Sequence, residues 1–126
     1  MNVSIMELVA EAKNAVMSLA PSELLDMMKD SNVLVVDVRD HPEVAQTGKI
    51  AGAIHVTRGM LEFEADEATP YFNPVFSKEK TVVLYCASGS RSALCANALK
   101  GIGYENVRIF GGFREWLRTG GPVEPA

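Results

Sequence analysis

Cys86 is one of two cysteines in the 126-residue chain, and Ala87-Ser88-Gly89-Ser90-Arg91-Ser92 follow it. Before it stands Thr81-Val82-Val83-Leu84-Tyr85, a short apolar, β-branched run that reads as a buried strand. After it, Ala93-Leu94-Cys95-Ala96-Asn97-Ala98-Leu99 begins a helix-forming pattern. This order predicts Cys86 at the carboxyl end of a strand, on a tight loop that opens a helix. Backbone N–H groups in such a loop can converge into an anion-binding concavity. The helix N-terminus adds partial positive charge and unpaired donors, and Arg91 adds a full charge and a fork of donors. All three favour the thiolate, which is the nucleophile. A fall in thiol pKa from about 8.5 to about 6.5 would raise the ionised fraction at pH 7 from roughly 3% to roughly 75%.

The other chemically equipped residues are fewer. Cys95 lies inside the following helix, where a free cysteine behaves as a small buried hydrophobe; Cys86 alone would admit the same reading. Asp37 and Arg39 end the apolar run Val33-Leu34-Val35-Val36. A buried Asp needs a partner and Arg is a good one, and from the neighbouring strand Asp37 can brace the Cys86 loop. Arg39 and Glu43, four apart in a short helix, have the spacing of an ion pair. Arg58 falls past the end of a strand, where open α/β sheets bind ligands, so it is a candidate second anion anchor; a solvated ion pair is the alternative. His41 and His55 are isolated and no Cys-x-x-Cys occurs, so no metal site is expected.

Cys86-Ala-Ser-Gly-Ser-Arg91 resembles the active-site loop of rhodanese-type sulfurtransferases, commonly Cys-x-x-Gly-x-Arg. The likeness extends to Asp37-Val38-Arg39 with Glu43 beyond it, and to Gly48-Lys49-Ile50-Ala51-Gly52-Ala53, where the family usually has Gly-His-Ile-Pro-Gly-Ala. Lys49 and Ala51 depart from that pattern in a structural turn. Near the end, Val107-Arg108-Ile109-Phe110-Gly111-Gly112-Phe113 with Trp116 matches the family's strand, Gly-Gly-aromatic and Trp. The resemblance covers roughly residues 18–122.

These residues must be held by alternating strands and helices. Ser4 and Glu7 fit a capping box, and Ile5, Leu8, Val9, Ala12, Ala15, Val16 and Leu19 follow helical spacing, which predicts a first helix near 4–16. A second helix starts at Pro21, with Met27 and Met28 as core. Residues 57–80 are the least periodic: Glu62, Glu64, Asp66 and Glu67 read as a solvated acidic face, Pro70 and Pro74 interrupt any long helix, and Phe63, Tyr71, Phe72 and Phe76 could wall an apolar rim. Gly101 and Gly103 stop the helix after Cys86. Alternation of this kind implies βαβ units and a parallel sheet with right-handed crossovers. The family resemblance implies a five-stranded, mainly parallel sheet with helices on both faces, its fifth strand a short edge piece near 18–20. The expected division is an N-terminal helical extension at 1–17, one rhodanese-like domain at 18–122, and a frayed tail at 123–126.

Composition agrees with one soluble globular α/β domain: 48% apolar, 22% charged, net charge −4. The mild acidity argues against nucleic acid or an anionic membrane as partner. Glu7, Glu11 and Lys13 interrupt any apolar leader, no run reaches membrane-spanning length, and two thiols make no disulfide framework, so a cytoplasmic protein is expected. The first helix offers a face on which a homodimer could form.

Sulfur transfer is what the resemblance implies. Cys86 would take the outer sulfur of a small anionic donor such as thiosulfate and carry it as a persulfide to cyanide or a thiol, with no cofactor. Loop N–H groups from Ala87 to Ser92 would donate to the anions, Ser88 and Ser90 could add hydroxyls, and Arg91 would orient the donor or support the loop. Two rivals remain. One is a persulfide carrier or recognition module built on the same domain. The other is a cysteine phosphatase or arsenate reductase, whose loops commonly read Cys-x5-Arg; here four residues separate Cys86 from Arg91.

Overall fold

A computed structural model describes residues 2–126. The two apolar runs lie side by side at the centre: Val33–Asp37 (β2) and Thr81–Tyr85 (β5) pair in parallel, with Val33 opposite Thr81 and Asp37 opposite Tyr85. Val107–Phe110 (β6) adds to the far side of β5, Met17–Leu19 (β1) to β6, and Ile54–His55 (β4) to β2. The order is β1-β6-β5-β2-β4, and every pair is parallel. Apart from Thr81 and Asp37 at their ends, both central strands are near-continuous apolar runs, as strands covered on both faces are.

Period-two alternation sorts their side chains. Leu34, Val36, Val82, Leu84 and Cys86 enter one core with Val107 and Ile109; Val35, Val83 and Tyr85 enter the other with Phe110. The first core is closed by Ile5–Asn14 (α1), Leu61–Ala65 (α4) and Ser90–Gly101 (α5), through Val9, Ala12, Leu61, Ala65, Ala93, Cys95, Ala96 and Leu99. The second is closed by Pro21–Met27 (α2) and Phe113–Arg118 (α6), through Leu24, Phe113 and Trp116. Each fully buried Val, Leu or Phe is worth roughly 1.5–3 kcal/mol relative to exposure. Helices therefore cover both faces, as the resemblance implies.

Four details differ from the expectation. The first helix ends at Asn14 rather than near 16, because residues 17–19 are drawn into the sheet as β1, Ser18 opposite Ile109. Residues 57–80 contain α4, a helix too short for its period to show. The tail is not frayed at Val123–Glu124: these residues (β7) pair antiparallel with Lys49–Ile50 (β3), and Glu124 forms an ion pair with Lys49. The expected aromatic rim divides, with Phe76 buried in the core and Phe63 and Tyr71 packed edge to face on the exposed surface.

No helix among the described residues is long and apolar enough to cross a membrane.

Candidate active site

Strand β5 delivers Cys86 to the carboxyl edge of the sheet, facing α5. The side chain is only 1% exposed, so the sulfur sits under its loop rather than on it. The loop turns through Gly89, whose φ of +104° lies in the left-handed region that a side chain disfavours. This turn aims the Gly89 N–H back at Sγ, at 3.1 Å. The thiol donates to Ser92 Oγ at 3.6 Å, and Ser92 Oγ donates to the Gly89 carbonyl at 3.1 Å. Burial pushes the Cys86 thiol up. The Ser92 N–H and hydroxyl, with the Gly89 and Ser88 amides, pull it down further, and the net position is below an ordinary thiol. The loop thus supplies the convergent amides that its sequence predicts.

The floor of the loop comes from the start of α6. Phe113 N–H donates to the Cys86 carbonyl at 2.8 Å. A Cβ on Gly112 would stand 2.3 Å from the Ala87 carbonyl oxygen, so only glycine permits this approach. The Gly-Gly-aromatic segment is thereby a structural support for the Cys86 loop, a role its sequence alone does not disclose.

Arg91 is the loop's one full charge. Its Nη1 and Nη2 donate to Glu43 Oε1 and Oε2 at 2.6 and 2.9 Å. Glu43 belongs to His41–Thr47 (α3), on the β2 side of the loop. The Arg91 hydrogen bonds hold the Glu43 carboxyl at about 2 against the opposing effect of burial. The Arg39–Glu43 pair expected from spacing does not form. Arg39 donates from Nε and Nη2 to Asp37 instead, the closest contact being 2.7 Å, with further bonds to the Gly48 carbonyl and Thr47 Oγ1. Asp37 and Arg39 are almost fully buried, and the Arg39 guanidinium stacks 4.2 Å from the centre of the Phe113 ring. Asp37 therefore reaches the Cys86 loop indirectly, by Arg39 and Phe113 on one path and by Tyr85, its neighbour across the sheet, on another.

The side chains of the remaining candidates form no hydrogen bond to Cys86 or Arg91 among the described residues. Ser88 is exposed and Ser90 opens α5. Arg58 is exposed beyond β4, two strands from β5, and forms no ion pair among the described residues. Cys95 is buried, and burial raises its thiol to about 12. His41 and His55 meet edge to face at 4.7 Å, and His55 Nε2 contacts the Arg39 carbonyl at 2.6 Å. No cluster of three or more His, Cys, Asp or Glu side chains suited to a metal occurs among the described residues.

Comparison with known proteins places this geometry. The rhodanese-like domain model matches residues 20–119. The thiosulfate sulfurtransferase GlpE of Actinobacillus succinogenes is 29% identical over 109 residues, covering 86% of this chain and 90% of its own. GlpE of Tolumonas auensis is 36% identical over 86 residues, covering 68% and 73%. A protein of unknown function from Rhodopseudomonas palustris CGA009, described as a possible tyrosine phosphatase, superposes with a TM-score of 0.91 at 38% identity, covering 98% of this chain and 96% of its own. The chain belongs to the rhodanese-like domain family and is a transferase of the rhodanese type.

Proposed function

We propose that the chain moves a sulfane sulfur from thiosulfate or a similar small anion, through a Cys86 persulfide, to cyanide or a thiol. The Gly89 amide 3.1 Å from Sγ carries this reading, because a donor aimed at a buried sulfur favours its thiolate. The thiolate attacks the outer sulfur of the donor. A Cys86 S–S bond forms, the donor's own S–S bond breaks, and its electron pair departs on sulfite. The negative charge then rests on the outer sulfur of the persulfide, within reach of the amides of Ser88, Gly89 and Ser92. Cyanide or a thiolate attacks that outer sulfur, leaves as thiocyanate or a new persulfide, and returns Cys86 as thiolate. Neither half requires a proton. Arg91, held by Glu43, supports the loop in this reading rather than orienting the donor.

Intact-mass analysis after thiosulfate treatment tests the reading. One sulfur, about 32 Da, is expected on Cys86 and none on Cys95. No gain without reductant overturns it. A gain with no turnover to any acceptor leaves the carrier role in its place.

A phosphatase reading has one observation in its favour, the description of the Rhodopseudomonas protein. Against it, four residues separate Cys86 from Arg91, and both terminal nitrogens of Arg91 are held by Glu43. Turnover of an aryl phosphate without sulfur transfer would select it.

A further inference from the structure

The helix that precedes the family's span touches the sulfur-bearing loop. Lys13 stands in the last turn of α1, outside the matched residues 20–119. Its Cε and Nζ lie 3.6 Å from where a Cβ on Gly89 would stand, against the same glycine whose amide faces Cys86. A cavity of about 230 Å³ opens there, lined by Lys13, Ser18, Ser88, Gly89, Ile109 and the Phe110–Gly111 end of β6. Lys13 is the cavity's charged lining residue and forms no ion pair among the described residues. One carboxylate, that of Glu115, lies against Gly111 at the edge of the same cavity. Arg91 is already bonded to Glu43, whereas Lys13 is an uncommitted cation beside the loop.

We infer that Lys13 and this cavity form a subsite for the acidic group of the small sulfur compound that reacts at Cys86. The inference rests on the sulfurtransferase reading. The volume falls below the ~300 Å³ at which drug-sized pockets begin, which suits a small anion. The acidic group is either the sulfonate end of the donor or the carboxylate of an acceptor thiol. Both chemistries present a compact anion to an ammonium and to the polar edge of Ser88 and Gly89. Lys13 is a specificity-determining residue in this role and takes no part in bond making.

The competing account makes Lys13 a favourable charge at the C-terminal end of α1 and nothing more. The two accounts differ in kinetics. Lys13→Met keeps the hydrocarbon and removes the charge. It is expected to raise KM about two- to five-fold for thiosulfate or for a carboxylate-bearing thiol such as 3-mercaptopropionate, the size of effect an exposed ion pair gives. It should leave kcat and the KM for the neutral thiol 2-mercaptoethanol unchanged. A shift confined to one anion identifies whether donor or acceptor uses the subsite. Lys13→Arg should restore the wild-type value, and high salt should raise the wild-type KM towards that of Lys13→Met. Equal KM values for Lys13→Met and wild type with both anions overturn the inference. Calorimetric binding of sulfite to wild type and Lys13→Met reads the subsite without turnover. Weaker binding by Lys13→Met supports it even if the wild type transfers no sulfur, an outcome that would refute the sulfurtransferase reading alone. Unchanged sulfite affinity together with an unchanged KM for the carboxylate-bearing thiol overturns the subsite.

Discussion

Arg91 and Glu43 meet fork to fork across 48 residues of sequence, at 2.6 and 2.9 Å, and so fasten the loop after β5 to the helix after β2. Bidentate pairs of this kind add geometric specificity to their energy. Both side chains keep about a third of their surface in water, so the pair contributes about 0.5–1 kcal/mol to stability, and its main effect is on where the loop sits. Glu43→Gln is expected to lower the rate of persulfide formation several-fold with a small loss of stability. Single-turnover kinetics with thiosulfate beside thermal unfolding checks this.

The same pair fixes a pH dependence. The Glu43 carboxyl is held at about 2, below its unfolded position near 4.5. A depressed carboxyl contributes stability above its unfolded pKa and loses that contribution as pH falls through the folded value. The brace is therefore complete at pH 6, weakens below about pH 4.5, and is gone near pH 2. The difference in unfolding midpoint between wild type and Glu43→Gln should shrink across that window. A constant difference would contradict the assignment.

Ser92 acts on Cys86 with both its N–H and its hydroxyl. Ser92→Ala removes the hydroxyl and the tie to the Gly89 carbonyl, so the Cys86 thiol should rise towards its ordinary value. On the acid side of the titration the thiolate fraction, and the alkylation rate by iodoacetamide, should fall below those of the wild type, and the two proteins should converge where both thiols are fully ionised. Alkylation against pH, with site assignment by peptide mass, measures this.

The two cysteines should behave oppositely. Amides lower Cys86, whereas burial takes Cys95 to about 12. At neutral pH Cys86 alone should react with iodoacetamide. Cys86→Ala should abolish sulfur transfer. Cys95→Ala should retain it and lose about 1 kcal/mol of stability through a small cavity.

Asp37 is buried 2.7 Å from Arg39 Nη2, so Asp37→Asn leaves an uncompensated guanidinium in the core. Breaking such a pair costs about 3–5 kcal/mol. Because Arg39 also covers the Phe113 ring, the loss should reach the floor of the Cys86 loop. Urea unfolding and persulfide formation should both suffer, stability first.

The residues from Thr81 to Leu99 were legible as strand, loop and helix because each segment is strongly patterned over its own length. The motif also singled out Cys86 rather than Cys95 as the candidate nucleophile. What the sequence hid is long-range. Nothing near Glu43 shows that its partner is Arg91 rather than Arg39; local spacing favours Arg39, and burial beside Asp37 overrides it. Two-residue strands such as β3 and β7 have no period to detect, and their pairing joins positions more than seventy residues apart. The proximity of Lys13 to Gly89 depends on how α1 packs across α5, which helical spacing alone leaves open.

The β3–β7 clasp has a practical reach. The Ile50 N–H bonds to the Tyr85 hydroxyl at 2.9 Å, and Tyr85 is the residue before Cys86. Ile50 also pairs with Val123. Truncating the chain after Gly121, or fusing a bulky partner there, would slacken a mechanical linkage that runs from the carboxy terminus to the neighbour of Cys86, so preparations differing only at that end should not be treated as kinetically equivalent.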